Sequence, residues 1–245
     1  MRFLDYSERE ITANLAIDDA LLQEAEDCEV APILRVWEQP DFAVVLGASG
    51  RIAEDVRREA CEADGVPLAR RSSGGGTVLV GPGALNFAIV LPIGFDPSFA
   101  AVDLAQKWIL ARSAEGLNRF RPGGSPRIEV LGSGDLTIDR RKISGSAQRR
   151  LRKHLLVHAT FLHDFPLDKI GRYLAAPRRQ PDYREGRPHS TFLANDRTPR
   201  ASLVEGLRWA WQADEFESVP SESILKSARE LADVKLARSE WIERL

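Results

Sequence analysis

Arg70-Arg71-Ser72-Ser73-Gly74-Gly75-Gly76-Thr77-Val78 reads as a short strand, a glycine loop and the start of a second strand. Three consecutive glycines remove every Cβ from the loop, so its backbone can take positive φ and another backbone or a ligand can approach to van der Waals distance. Two arginines at the entrance place positive charge beside that opening. A concave, donor-rich backbone next to arginine suits a phosphate or a carboxylate. The same residues would also make a glycine hairpin with two solvated arginines, so the flanking chain has to decide between the two.

Downstream, 77–80 and 85–91 flank Gly81-Pro82-Gly83, and Leu85, Phe87, Ile89 and Leu91 alternate with Asn86, Ala88 and Val90. That pattern is a mostly buried strand with one polar member, Asn86, placed either to tie down the turn or to face a ligand. Upstream, Ile52, Val56, Ala60 and Ala63 recur at helical steps with Glu54 and Asp55 in the first turn and Asp64-Gly65 as the stop, predicting one helix over 52–63. Before it, 33–37 and 42–46 read as two strands joined by a turn at Gln39-Pro40-Asp41. Ile11, Leu15, Leu22 and Ala25, with Asp18, Asp19, Glu24 and Glu26 largely elsewhere, predict an amphipathic helix over 11–26 that starts near Thr12 or Asn14.

The chain of 245 residues suits one large domain or one domain with a small appendage. With 34 basic and 36 acidic residues its net charge is close to zero, which does not advertise nucleic-acid binding. No apolar run is long enough to span a bilayer, and the N-terminus lacks the apolar core of a signal peptide, so a cytoplasmic protein is expected. Cys28 and Cys61 are the two cysteines, with no CxxC spacing, which argues against a disulfide scaffold or thiolate metal site.

A second helix is predicted over 98–115, with Leu104, Trp108 and Ala111 on one face and Gly116 at its end, followed by an exposed loop over 119–127. Strands at 128–131, 136–138, 142–147 and 155–162, with tight connections at 132–134 and 139–141, form a β-meander. In Lys142-Ile-Ser-Gly-Ser-Ala-Gln, a period of two places Lys142, Ser144 and Ser146 on one face, either a ligand face or a solvated edge. The dense basic run Arg140, Arg141, Lys142, Arg149, Arg150, Arg152, Lys153 is either an edge that blocks sheet-to-sheet pairing or a docking site for an acidic domain. His154 and His158 share a strand face but lack a metal-site pattern, so they read as structural. Beyond 165 lie a short helix over 167–174, a Pro- and Arg-rich loop over 177–189, and helices over 202–211 and about 222–235. Trp209, Trp211 and Trp241 are expected to pack these onto the main body.

Taken together, Asn14-Leu-Ala-Ile-Asp-Asp-Ala-Leu-Leu22, the Arg70 to Val78 stretch, Gly134-Asp135-Leu136, Lys142-Ile-Ser-Gly-Ser-Ala-Gln148, His158-Ala-Thr-Phe-Leu162 and Gln180-Pro-Asp-Tyr-Arg-Glu-Gly-Arg187 resemble, in content and order, the lipoate-protein ligase family. The resemblance covers nearly the whole chain. It implies an α+β fold, a mixed or antiparallel sheet flanked by helices as in biotin ligases. Residues 1–245 would form one catalytic domain, about 196–245 being a C-terminal helical extension packed on it, with no separate accessory domain.

The resemblance also implies two steps in one pocket. Lipoate attacks the α-phosphorus of Mg-ATP to give lipoyl-adenylate, and a lysine of a carrier protein then takes the acyl group. Carriers of the family are glycine cleavage H protein-like proteins and acyltransferase E2 lipoyl domains, and some members use a small accessory chain. By the same resemblance Lys142 is the catalytic cation. Arg71, Ser73 and the backbone of Gly74, Gly75 and Gly76 would bind the adenylate and acyl carbonyl, Asp135 would position the nucleotide or its Mg²⁺, and Asn86, Ser144, Ala147, His158 and Thr160 would line the pocket. Charge develops on oxygen in both steps, so fixed donors and a cation are what the chemistry needs. Two departures bear on the reaction. Val80 stands where the family commonly has histidine, and Gly81-Pro82-Gly83 is similar to one octanoyltransferase family, which transfers through a cysteine near the lysine motif; no cysteine follows Cys61. An octanoyl or lipoyl transferase and a non-catalytic carrier-binding subunit are therefore the alternatives.

Overall fold

The computed structural model describes residues 1–177 and 180–245. The strand β1 (Arg2–Asp5) leads into α1 (Ile11–Asp27), β2 (Ile33–Glu38) and β3 (Ala43–Leu46). Two short helices, α2 (Ile52–Asp55) and α3 (Arg58–Ala63), precede β4 (Leu68–Arg70), the glycine loop, β5 (Val78–Val80) and β6 (Ala84–Pro92). Two 3₁₀ turns and α4 (Val102–Arg119) lead to the predicted meander, β7 (Glu129–Leu131), β8 (Asp135–Ile138), β9 (Arg141–Arg150) and β10 (His154–Leu162). There follow α5 (Asp168–Tyr173), α6 (His189–Phe192), α7 (Arg200–Trp211), β11 (Glu215–Glu217), α8 (Glu222–Leu231) and α9 (Ser239–Ile242). Part of the Pro- and Arg-rich loop expected over 177–189, residues 178 and 179, lies outside the described residues.

The long apolar strands β6 and β10 occupy the centre of an eight-stranded sheet in the order β11-β1-β2-β6-β10-β9-β8-β7. Pairing is antiparallel from β2 through β7, and β1 runs parallel to both β2 and β11. The sheet is covered on both faces, which is why β6 is apolar at nearly every position and β10 at most of them. Leu34, Phe87 and Phe161 meet Ile109 of α4 and Leu203 of α7 on one face. Trp37, Ala88 and Leu156 meet Leu22 of α1 and Ile224 of α8 on the other. A second sheet, β4-β3-β5, contributes Val45, Ala69 and Val80 to the α1-side core and turns Val44, Leu46 and Leu79 toward α5 and α6. The result is the α+β architecture expected, a mixed sheet flanked by helices.

Several local expectations are corrected. The strands β2 and β3 do not pair, because Gln39 is buried and bonded to Arg9 O and Asn14, anchoring the turn to the start of α1 and sending β3 into the second sheet. Nor do β4 and β5 pair with each other; β3 lies between them, parallel to β4 and antiparallel to β5. The helix expected over 52–63 breaks at Val56, which is extended and bridges Leu174, while Arg57 N donates to Tyr173 O at 2.8 Å. Neither Thr12 nor Asn14 caps α1; Asn14 Oδ1 accepts from Glu8 N instead. Asp18 and Asp19 are buried rather than on a wet face.

The buried face of α4 is also displaced, with Leu104 half exposed and Ala111 exposed while Ala105, Ile109 and Ala114 are inside. The cause is the close crossing of α7, where a Cβ on Gly116 would lie 2.0 Å from Gly206 O, so Gly116 is a helix-contact glycine and not a stop. In the loop over 119–127, Arg121 is buried on Asp196. Trp211 packs inside as expected and Trp241 is partly buried, but Trp209 lies exposed beneath Arg119. The strand β11 was not foreseen in the helical C-terminal region. It adds to the sheet edge at β1 while α7 covers α4 and α8 covers α1.

Candidate functional site

Between the two sheets lies a cavity of about 1240 Å³, ample for a nucleotide with an acyl chain by the usual size of ligand pockets, ~300–1,000 Å³. Of the predicted residues, Arg71, Gly75, Gly76, Asn86, Asp135, Lys142, Ser144, Ala147, His158 and Thr160 border it. Ser73 and Gly74 are not among the residues lining it, and Ser73 is buried.

The face of β9 is set by an irregular register. Leu136 of β8 pairs Ser144 while Thr137 pairs Lys142, so one residue of β9 is extra and the alternation changes hand there. Lys142, Gly145 and Ala147 consequently face the cavity side, Gly145 opposite Thr160 and Ala147 opposite His158. Ser144 and Ser146 also border the cavity, but not on the strand face of Lys142 where they are expected. Ser144 is opposite the core residues Phe161 and Leu136, and Ser146 Oγ accepts from Gln106 of α4 at 2.7 Å.

Lys142 Nζ lies 2.8 Å from Asp135 Oδ1, and Tyr183 Oη donates to Asp135 Oδ2 at 2.7 Å. A Cβ on Gly145 would fall 2.9 Å from Lys142 Nζ, so the bare glycine makes room for the ammonium. Tyr183 was missed from the sequence as a single residue, although the Pro-Asp-Tyr-Arg segment that carries it was singled out. Burial first, then the Asp135 charge, raises its phenol, which keeps it a donor. Beside this group His189 lines the cavity, its imidazole lowered to about 4 by burial and by Arg184, Lys142 and Arg57. That field of cations suits a polyanion.

Arg71 braces the glycine loop from beneath. Its Nη2 donates to Gly74 O at 2.6 Å and Gly76 O at 2.7 Å, its Nη1 to Val45 O at 3.3 Å and its Nε to Ser73 Oγ at 2.9 Å. Arg71 thus borders the cavity while its donors engage the loop backbone and Ser73, and burial alone lowers Arg71 to about 10, still charged at neutral pH. Arg70 is likewise internal, donating to Gly47 O, Gly50 O and Ile242 O. The loop also needs Gly47, where a Cβ would lie 2.1 Å from Gly75 O. Ser73 Oγ and His158 Nε2 are 2.6 Å apart, and His158 Nδ1 is 3.7 Å from Asp18 Oδ2.

The apolar wall comes from Leu15, Trp37, Val45, Val78 and Val80. Thr160 Oγ1 donates to Asn86 Oδ1 at 2.7 Å on the same wall, so Asn86 faces the cavity. Trp37, another residue the sequence did not mark, is buried with its Nε1 unpaired among the described residues. Most of the basic run has partners within the chain. Arg149 meets Asp19 at 2.6 Å, Arg140 meets Glu185 at 2.7 Å, Arg141 donates to Leu193 O and Arg150 to Phe99 O. His154 pairs with Glu26 at 3.4 Å. Among the described residues no three His, Cys, Asp or Glu side chains gather as a metal site.

Residues 10–217 match the family described as the lipoyl protein ligase A/B catalytic domain. The chain is 24% identical to lipoate-protein ligase LplJ of Bacillus subtilis over 93% of its own length and 64% of the relative's. It is 31% identical to octanoyltransferase LipM of Carboxydothermus hydrogenoformans over 71% of its length and 68% of the relative's. It spans about half of the candidate lipoate-protein ligases A it matches in Aeropyrum pernix (52%) and Mycoplasma genitalium (45%). Its fold superposes with a TM-score of 0.77 and 25% identity on a chain of the bi-partite lipoate protein ligase system of Thermoplasma acidophilum, covering 99% and 95% of the two chains. A lipoate-protein ligase A bound with ATP has the same fold, with a TM-score of 0.78, 24% identity and coverage of 100% and 99%.

The cleft between the two sheets thus carries Lys142 and the glycine loop on its walls. The chain belongs to the lipoyl protein ligase A/B catalytic-domain family.

Proposed function

We propose that this chain activates lipoate with ATP and attaches it to a lysine of a lipoyl-carrier protein, an H protein-like protein or an E2 lipoyl domain. The observation that carries this reading is the pairing of Lys142 with a cysteine-free cavity. Cys28 is exposed just past α1, Cys61 is buried in α3, and neither is among the lining residues. A thiolate relay has no group to form on, whereas direct transfer from an adenylate needs only a cation, donors and an apolar slot.

In the first step a carboxylate oxygen of lipoate forms a bond to the α-phosphorus and pyrophosphate leaves. In the second the carrier amine attacks the acyl carbonyl, AMP leaves, and the amine gives up a proton. Lys142 is placed to hold negative charge on the phosphoryl and carbonyl oxygens in both steps, where a fixed cation in a site shielded from water is most effective. Asp135 and Tyr183 hold the lysine in position, and the glycine loop presents its backbone to the same region. Both carboxylate oxygens of Asp135 have partners, and among the described residues no acidic cluster surrounds it. That donor set fits a Mg²⁺ brought in on the triphosphate, with Asp135 as at most one protein ligand. Residues 1–245 are read as one catalytic domain, with 196–245 an extension packed on it, and a small accessory chain is a further candidate partner.

A second reading, transfer from an octanoyl carrier without ATP, is favoured by Gly81-Pro82-Gly83 and the LipM relatives. The test is intact-mass analysis of an unmodified lipoyl domain incubated with the protein, lipoate and Mg-ATP, beside octanoyl-carrier protein without ATP. A lipoyl mass gain that needs ATP and is lost in Lys142→Ala is expected. Modification from the octanoyl donor alone would establish the transferase. No product in either arm would leave a carrier-binding role.

A further inference from the structure

We infer that Asp18, His158 and Ser73 form a buried positioning relay that shapes the glycine loop through Arg71 and turns two of its amides, Gly75 N–H and Thr77 N–H, toward the cavity. This rests on reading the cavity as an acyl-activating site, and it gives roles to residues with no reacting partner of their own.

The relay is anchored by Arg35, fully buried in β2. Its Nη1 donates to Asp18 Oδ1 at 2.6 Å and Asn14 O at 2.8 Å, and its Nη2 to Asn14 Oδ1 at 2.8 Å and Tyr6 O at 3.0 Å. The Asp18 carboxylate is therefore locked in place, 1% exposed, with Oδ2 lacking a hydrogen-bond partner among the described residues. The polar atom facing that oxygen is His158 Nδ1, at 3.7 Å. At the other end of the ring, His158 Nε2 is 2.6 Å from Ser73 Oγ.

Arg71 can only donate, so Ser73 Oγ accepts from Arg71 Nε. The relay assigns the hydroxyl proton of Ser73 to His158 Nε2, which makes Nε2 the acceptor and places the imidazole proton on Nδ1, on the side of the negative Asp18. With Ser73 held, the remaining Arg71 donors draw the carbonyls of Gly74 and Gly76 inward. In a trans peptide the N–H points opposite to the C=O, so the amides of Gly75 and Thr77 point outward, and both residues border the cavity. Two such donors are the means of holding an acyl or phosphoryl oxygen. Asp18 lies in the Asn14 to Leu22 motif and His158 in β10, so the relay ties three sequence motifs to one loop geometry.

The experiment uses the whole chain in three measurements. First, ¹⁵N NMR of the four histidines, with His158 assigned by a His158→Gln variant, is expected to show the His158 ring proton on Nδ1 with Nε2 as the acceptor; an Nε2–H ring overturns the relay. Second, hydrogen exchange without substrate should speed up about tenfold at the amides of 74–77 in Ser73→Ala, with the amides of β6 and β10 unchanged. Unchanged loop exchange overturns it, and this single-hydroxyl variant keeps the test decisive if Asp18→Asn does not fold. Third, a non-hydrolysable acyl-sulfamoyl adenosine should bind Ser73→Ala and Asp18→Asn about tenfold more weakly, and the double variant no worse than either, as members of one chain behave. Additive losses overturn the relay. If the first two results appear and the analogue fails to bind even the wild type, the activation reading falls and the relay stands.

Discussion

Replacing Tyr183 with phenylalanine removes one oxygen from the site and little else. The hydroxyl donates to Asp135 Oδ2 at 2.7 Å, Tyr183 is 8% exposed, and the Asp135 side chain 13%. The ring stays in contact with Phe192, whose centroid is 5.3 Å away, so the packing survives the substitution. A hydrogen bond to a charged group is worth ~1.5–3 kcal/mol. Because Asp135 keeps Lys142 as a partner, the low end applies, and a stability loss of about 1.5 kcal/mol is expected from urea unfolding. The kinetic effect follows from what Asp135 does. With one of its two anchors gone the carboxylate can rotate, and Lys142 loses its fixed direction. A supporting contact of this kind costs roughly tenfold to a hundredfold when removed. We expect about a tenfold fall in kcat for pyrophosphate release, near the low end of that range, with KM for ATP little changed, because the contact is felt where charge develops. A cycle with Asp135→Asn should show coupling of about 1 kcal/mol or more between the two positions. Wild-type kcat in Tyr183→Phe, with additive effects in the cycle, would refute the proposed role of this hydroxyl.

Two further outcomes follow from packing and charge. Gly116→Ala places a Cβ 2.0 Å from Gly206 O and 2.7 Å from Ala210 Cβ, forcing α4 and α7 apart. The loss should be on the order of 3 kcal/mol, read by thermal or urea unfolding, and a change under ~0.5 kcal/mol would contradict the crossing. His189 is held near 4 by burial and by Arg184, Lys142 and Arg57 against an ordinary value of 6.5. Between those values the unfolded chain binds a proton the folded chain refuses, so stability is full above pH 6.5 and falls as pH drops toward 4. His189→Asn should shrink the drop in unfolding free energy between pH 7 and pH 4.5 by on the order of 2 kcal/mol, and an identical drop in both proteins would refute it.

Much of the fold was legible because its signals are local. Alternation along 85–91 marked one central strand and the apolar run at 155–162 the other, short connections at 132–134 and 139–141 marked the meander, and the order of motifs pointed to the family. Errors came where partners distant in sequence overrode the local pattern. Asp18 and Asp19 read as a wet face, yet Arg35 and Arg149 receive them inside. Gly116 read as a stop because its contact, Gly206, is 90 residues away in the chain. Val56 belonged to a helical repeat, but its bridge to Leu174 pulls it straight. The extra residue in β9 was invisible because a period of two carries no mark of a register change, and it is what separates Lys142 from Ser144 and Ser146.

By itself the sequence determined the residue types of the site: a glycine loop that allows close approach and a lysine in a strand. That neither cysteine lines the cavity was shown by the structure. Which atoms face the cavity was decided by tertiary structure. Arg71 sits at the mouth of the loop in sequence but turns its donors onto the loop's own carbonyls, and Tyr183 enters the site from a segment 41 residues beyond Lys142. The reason is physical. A backbone carbonyl or a buried carboxylate must find a donor wherever the fold supplies one, and that choice is made between elements, after the local pattern has already formed them.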